Sequence, residues 1–245
     1  MNHNDAIPET ELINTDNRDL DQLSTLDFVT VMNREDIKAV QAVQAELPAV
    51  ATVIDAIASR MQQGGRLIYL GAGTSGRLGV LDASEIPPTF SADPGQVIGM
   101  IAGGDTALRN AVEGAEDDAS LAHNDLAGLA LGQQDSVIGI SASGTAAYVL
   151  AGFQYASSQG ALTVALVCNP YAPLITIADL SIVAATGAEV LSGSTRLKAG
   201  TATKLILNMI STGVMVKLGK TYGNLMVDLQ ASNHKLRNRA VRLVM

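Results

Sequence analysis

Five short aliphatic runs, at residues 66–70, 97–101, 136–140, 162–167 and 180–184, constrain this chain more than any other feature. Strands that are apolar on both faces and alternate with helical patterns or Gly-rich turns fit a parallel sheet covered on each side. This is the doubly wound α/β arrangement. Such sheets bind ligands beyond the carboxyl ends of their strands. Here those ends carry GAGTSG (71–76), AGGDT (102–106), SASGT (141–145), CNP (168–170) and, a little later, GAEVLSGSTRLKAG (187–200). One edge of the sheet therefore collects nearly all the small polar residues.

Around this core, residues 1–24 show no sustained period and read as an extended arm, which orders only by docking. Asp21 and Ser24 are available to cap a helix starting near Thr25. Residues 35–46 and 49–63 read as helices, separated by Pro48 and closed by Gly64 and Gly65. A long helix is expected over 195–220, with an apolar stripe that includes Leu205, Ile210 and Val214. The last stretch, from Asn224, also reads helical, and Lys235, Arg237, Arg239 and Arg242 give it a basic, solvated end. The expected division is an arm and helix (1–48), a sheet domain (49–220) and a C-terminal helical segment (221–245).

Composition narrows the function classes. A 245-residue chain that is 47% apolar can bury one sizeable core, and its net charge of −8 disfavours nucleic acid. An anionic ligand must then be held locally, by oriented N–H groups. Cys168, the single cysteine, lies in the apolar run LTVALVC and reads as a buried inert thiol. The polar, acidic N-terminus does not resemble a signal peptide, and no uninterrupted apolar run approaches the roughly 20 residues of a membrane helix. A soluble cytoplasmic protein that binds neither nucleic acid nor membrane is expected. His3, His123 and His234 are widely separated, without metal-ligand spacing, and no Ser sits in G-x-S-x-G.

Gly71, Gly73 and Gly76 match G-x-G-x-x-G directly after a strand. The acidic residue that a dinucleotide site needs about 20 positions later has only Asp105 as a late candidate. Thr74 and Ser75 suit a terminal phosphate or sugar hydroxyls better. Ser141 in SASGT reads as a helix N-cap or as part of an anion cradle, and GSTR (193–196) is open to the same two readings. Two carboxylates complete the pattern. Glu85 precedes Ile86-Pro87-Pro88, where a helix is expected to stop. Glu113 and Glu116 are spaced to share one helix face, followed by Asp117 and Asp118. A phosphate-sized anion site beside two carboxylates suits proton removal and delivery on a sugar phosphate.

With those residues in hand, the chain resembles the N-acetylmuramic acid 6-phosphate etherases of the sugar isomerase (SIS) domain superfamily. The resemblance runs almost end to end, through LDQLST with MNRED, GGRLIYLGAGTSGRLGVLDASE, IAGGDTALRNAVEGAEDD, GAEVLSGSTRLKAGTATKLILNMISTG and GNLMVDLQASNHKL. It implies a five-stranded parallel sheet, a homodimer with an interfacial active site, and no metal or organic cofactor. It also implies cleavage of the D-lactyl ether of N-acetylmuramic acid 6-phosphate to N-acetylglucosamine 6-phosphate and D-lactate. The family's acid/base glutamates fall on Glu85 and Glu116. Gly73, Thr74, Ser75, Ser141, Ser143, Gly144, Thr145 and Ser194 would hold the phosphate and sugar hydroxyls, with Arg196 and Lys198 neutralising charge.

Three departures accompany the match. Ser143-Gly144-Thr145-Ala146-Ala147 stands where the family usually has Ser-Gly-Arg-Thr-Pro, Ile86 replaces a frequent Cys, and the sequence stops at Met245 without the further helical segment the family normally carries. A non-catalytic SIS module that senses a sugar phosphate is the alternative from another class. An aldose-ketose isomerase is the third.

Overall fold

The computed structural model describes residues 7–226. Five strands, β1 (Leu67–Gly71), β2 (Val97–Ile101), β3 (Ser136–Ile140), β4 (Leu162–Val167) and β5 (Leu180–Val183), form one parallel sheet in the order β2-β1-β3-β4-β5. Side chains alternate across it, as the period of two requires. Leu67, Tyr69, Ile138, Ile140, Val164 and Leu166 enter one buried cluster, which includes helices α1 (Thr25–Ala45), α2 (Leu47–Gln62), α3 (Gly73–Phe90) and α7 (Lys198–Lys217). Ile68, Leu70, Val137, Ala165 and Val167 enter a second, beneath α5 (Ala119–Ala127) and α6 (Ala147–Ser158). Gly71 pairs with both Ile101 and Ile140, so β1, β2 and β3 end level and release their loops together.

Local chemistry explains several boundaries. Ser24 Oγ accepts from Asp27 N at 3.2 Å and caps α1 at Thr25, the start expected there; the helix then runs unbroken to Ala45, taking in most of the segment read as a helix over 35–46. Glu46 ends α1, and Pro48 opens the first turn of α2 where its missing N–H has no partner to lose. The arm is not extended. It folds into 3-10 turns at Glu9–Glu11, Thr15–Asn17 and Leu20–Gln22, anchored by the fully buried Thr10.

Three expectations about helices need correction. Pro87 and Pro88 do not end α3, which continues to Phe90. Both lie in its last turn, where proline removes N–H donors to only two carbonyls, while buried Ile86 and Phe90 hold that turn on the core. Glu113 and Glu116 do not share a helix: α4 (Gly104–Arg109) stops early, and Gly114 at φ 75° starts a 3-10 turn over Ala115–Asp117. The chain from Thr221 forms a small antiparallel hairpin, β6 (Thr221–Tyr222) and β7 (Leu225–Met226), instead of continuing helical. The rest of the expected C-terminal helix, with Lys235, Arg237, Arg239 and Arg242, lies outside the described residues, as do His3 and His234.

Close packing at the start of α3 depends on Gly76. A Cβ there would lie 2.7 Å from the carbonyl oxygen of Gly71 and 2.6 Å from Ile101 Cγ1. The first of these is backbone and cannot swing away. Gly76→Ala should therefore cost about 1–3 kcal/mol through displacement of α3. Urea unfolding of the two proteins measures this; equal midpoints would show that the helix can slide freely.

Candidate active site

A cleft of about 440 Å³ opens between the ends of β1 and β3. The strand order reverses there, the place where open α/β sheets bind ligands. Ala72, Gly73, Thr74 and Ser75 form one wall, residues 140–143 with Thr145 and Ala146 another, and Thr195, Ala199, Gly200 and Thr203 a third. Glu116 and Asp117 lie at its edge with Glu11 of the arm. Among the described residues, no Lys or Arg lines it.

Each wall follows from local sequence. Gly73 adopts φ 52°, a left-handed turn that lets α3 begin directly behind the strand. In SASGT, Ser141 Oγ accepts from Gly144 N at 3.0 Å, Ser143 Oγ accepts from Thr145 N at 3.3 Å, and the Ser143 and Thr145 hydroxyls lie 2.7 Å apart. These serines close the loop on itself. They do not cap α6, whose N-cap is Ala146 without a side-chain bond. Gly144 has φ 73°, and a Cβ on it would meet that of Ala172 at 2.3 Å, so it shapes the turn from behind without lining the cleft. Glu116 is held by its neighbour: Ala115 is buried in the cluster beneath α6 and fixes the 3-10 turn that presents the carboxylate.

The 193–198 segment differs most from expectation. GSTR is no cap for α7. Instead the fully buried Glu189 accepts from Lys198 N at 3.0 Å and Ala199 N at 2.9 Å, satisfying the helix N-terminus from within. Lys198 Nζ donates to Glu35 Oε2 at 2.7 Å and to the Ala188 carbonyl at 2.6 Å, and the pair is almost fully buried. It borders a separate cavity with Lys38 and Thr186 and does not face the cleft. Arg196 is exposed in an outer groove with Thr74, Leu78 and Lys204, and Ser194 is half-buried beside the cleft, where Gly193 and Thr195 are the lining residues. Cys168 is buried, and its burial pushes the thiol up to about 12.

The two glutamates separate within one protomer. Glu116 borders the cleft, whereas Glu85 is exposed on α3 outside it. Leu78 is the last residue of α3 to touch the cleft, and Glu85 follows it by seven positions, about 10 Å along the axis at 1.5 Å per residue. Between them lies Asp82, buried, accepting from Tyr69 Oη at 2.8 Å and Ser211 Oγ at 3.2 Å. Sequence reasoning passed over Asp82, although a carboxylate at helical spacing from buried Gly79 and Ile86 is itself a signal.

Burial raises the Asp82 carboxyl above its ordinary value of 3.8, against the lowering effect of the Tyr69 and Ser211 hydroxyls. An acid raised on folding binds more protons in the native state. Its favourable contribution is full below 3.8 and is lost as pH rises through the elevated value. Asp82→Asn should remove that fall, flattening unfolding free energy against pH above 3.8 in urea titrations. An unchanged slope would show that Asp82 is not its source.

A parallel 2-1-3-4-5 sheet with a cleft lined by serine and threonine residues at its switch point defines an open, doubly wound α/β protein. The family model for the glucokinase regulatory protein N-terminal SIS domain matches residues 49–157. The fold is shared with a phosphoheptose isomerase from Francisella tularensis, at TM-score 0.63 and 19% identity over 79% of this chain and 100% of that one. It is also shared with a phosphoheptose isomerase from Neisseria gonorrhoeae, at TM-score 0.60 and 16% identity over 78% and 98%. Much closer in sequence is the N-acetylmuramic acid 6-phosphate etherase of Caldanaerobacter subterraneus subsp. tengcongensis, 58% identical over 96% of this chain and 77% of that protein. The etherase of Cronobacter sakazakii is 53% identical over 100% of this chain and 82% of its own length. The chain belongs to the N-acetylmuramic acid 6-phosphate etherase family.

Proposed function

We propose that this enzyme is a carbon–oxygen lyase that cleaves the D-lactyl ether of N-acetylmuramic acid 6-phosphate, giving N-acetylglucosamine 6-phosphate and D-lactate. The observation that carries the reading is a carboxylate, Glu116, on a cleft that also gathers the hydroxyl residues Thr74, Ser75, Ser141, Ser143 and Thr145. Gly73, Thr74, Ser75, Ser141, Ser143 and Thr145 would cradle the phosphate and sugar hydroxyls there. A cytoplasmic location is part of this reading. No single helix among the described residues is long and apolar enough to cross a membrane.

The chemistry follows from the substrate. An ether oxygen is a poor leaving group, but ring opening exposes a C1 aldehyde that acidifies the C2 proton. Glu116 takes that proton, the C3–O bond breaks, and Glu85 protonates the departing lactate oxygen. The resulting C2=C3 double bond is conjugated with the aldehyde. Water then adds at C3 and gives a proton to Glu85, while Glu116 returns one to C2. Each positioned acid or base contributes typically about 10²–10⁴-fold.

Because Glu85 lies beyond the cleft of its own protomer, a homodimer in which a second copy supplies it is the arrangement that serves this chemistry. Incubating the purified protein with N-acetylmuramic acid 6-phosphate and assaying D-lactate tests the function. Binding without lactate release would instead favour a sugar-phosphate sensor.

A further inference from the structure

The N-terminal arm brings another carboxylate to the cleft. Thr10 is fully buried, Glu11 N donates to the Pro8 carbonyl at 2.8 Å, and Leu12 N donates to that of Glu9 at 3.2 Å. Asn14 N donates to Ser192 Oγ at 3.4 Å, tying the arm to the loop that forms the cleft rim. These contacts hold Glu11 in a 3-10 turn beside Gly193. Its Oε2 lies 3.3 Å from the point a Cβ on Gly193 would occupy, and Gly193 itself has φ 77°. Glycine is thus suited to this position twice over, by conformation and by the approach of the carboxylate. The Glu11 carboxylate makes no hydrogen bond or ion pair with another described residue, although Glu11 lines the cleft.

We propose that Glu11 is a substrate-binding residue that sets specificity for the neutral, donor-bearing part of the sugar. An ionised carboxylate only accepts hydrogen bonds. It therefore takes hydroxyl or acetamido N–H donors and turns away the phosphate and the lactyl carboxylate. In a cleft that no cation among the described residues lines, this repulsion orients the sugar phosphate: its anionic end goes to the serine and threonine turns, its hydroxyl-bearing body to the Gly193 rim. The assignment rests on the etherase reading for the identity of the sugar, but not for its binding.

The test compares wild type, Glu11→Ala and Glu11→Gln by calorimetric titration with N-acetylglucosamine 6-phosphate and, separately, inorganic phosphate. Lactate release is followed in parallel. Glu11 is exposed and unpaired, so thermal melts should be unchanged. The alanine variant should bind the sugar phosphate about 10-fold or more weakly, the loss expected for a charge-assisted hydrogen bond. Inorganic phosphate should bind as before or more tightly. KM should rise by more than kcat falls, and glutamine should recover part of the affinity through its amide oxygen. Undiminished sugar-phosphate affinity in Glu11→Ala, or an equal loss for both ligands, overturns the proposal. A wild type that binds the sugar phosphate but releases no lactate overturns the etherase reading alone, and the titrations still decide the role of Glu11.

Discussion

Glu116→Gln and Glu85→Gln should each lose lactate release by about 10²–10⁴-fold, the contribution of a positioned acid or base, yet a mixture of the two inactive proteins should recover activity. Glu116 borders the cleft while Glu85 stands two turns of α3 beyond Leu78. On the proposed reading, a rigid α3 keeps Glu85 away from its own cleft, and the second carboxylate would come from another copy. If each site takes Glu116 from one subunit and Glu85 from its mate, a heterodimer carries one intact site and one doubly substituted site. Full subunit exchange makes half the dimers mixed, so activity per site should return to roughly a quarter of wild type. Light scattering on the same samples establishes the dimer. If both variants keep wild-type rates, the acid/base assignment is wrong. Exchange of subunits without recovery would place both carboxylates in one protomer's site.

The second large effect concerns stability. Lys198→Met should destabilise the fold by about 3–5 kcal/mol, the usual consequence of removing one partner from a buried ion pair. Lys198 and Glu35 join at 2.7 Å, with side chains only 3% and 2% exposed, so the substitution strands Glu35 with the half-exposed Lys38 as its remaining partner. Burial by itself would raise the Glu35 carboxyl. The bonds and charges of Lys198 and Lys38 outweigh it and hold the group below its ordinary value of 4.5. Such a group stabilises the fold above 4.5 and loses that contribution as pH falls through the lowered value. Lys198→Met should therefore also shrink the acid limb of a stability–pH curve. Pairing it with Glu35→Leu should restore much of the loss, because no buried charge is then left alone. Affinity for N-acetylglucosamine 6-phosphate, measured well below the melting temperature, should change little. Unaltered stability with lost affinity would return Lys198 to the substrate site.

These two predictions mark where linear reading reached its limit. The strands at 97–101, 136–140 and 162–167 have the observed limits, because runs buried on both faces leave a signal in composition alone. The turns after β1 and β3 were legible as one site for a related reason: consecutive parallel strands present their carboxyl ends on the same edge, wherever the helices lie. Gly73, Thr74, Ser75, Ser141, Ser143 and Thr145 do line one cleft. Lys198 was misleading because its partner is 163 positions away, at a distance no local pattern encodes. Glu11 stayed invisible because the arm has no period, and its placement depends on a single buried threonine and the Gly193 rim.

Residue order by itself therefore determined the layered sheet, its parallel sense and the edge that carries the cleft, since these follow from hydrophobic periodicity and the local chemistry of turns. Only the tertiary structure decided which polar groups meet. Helix α3 carries Glu85 away from the cleft, an internal carboxylate at Glu189 occupies the start of α7, and the docked arm supplies Glu11. The physical reason is that periodicity is written within a few residues, whereas the meeting of charges depends on distances set by packing of the whole chain.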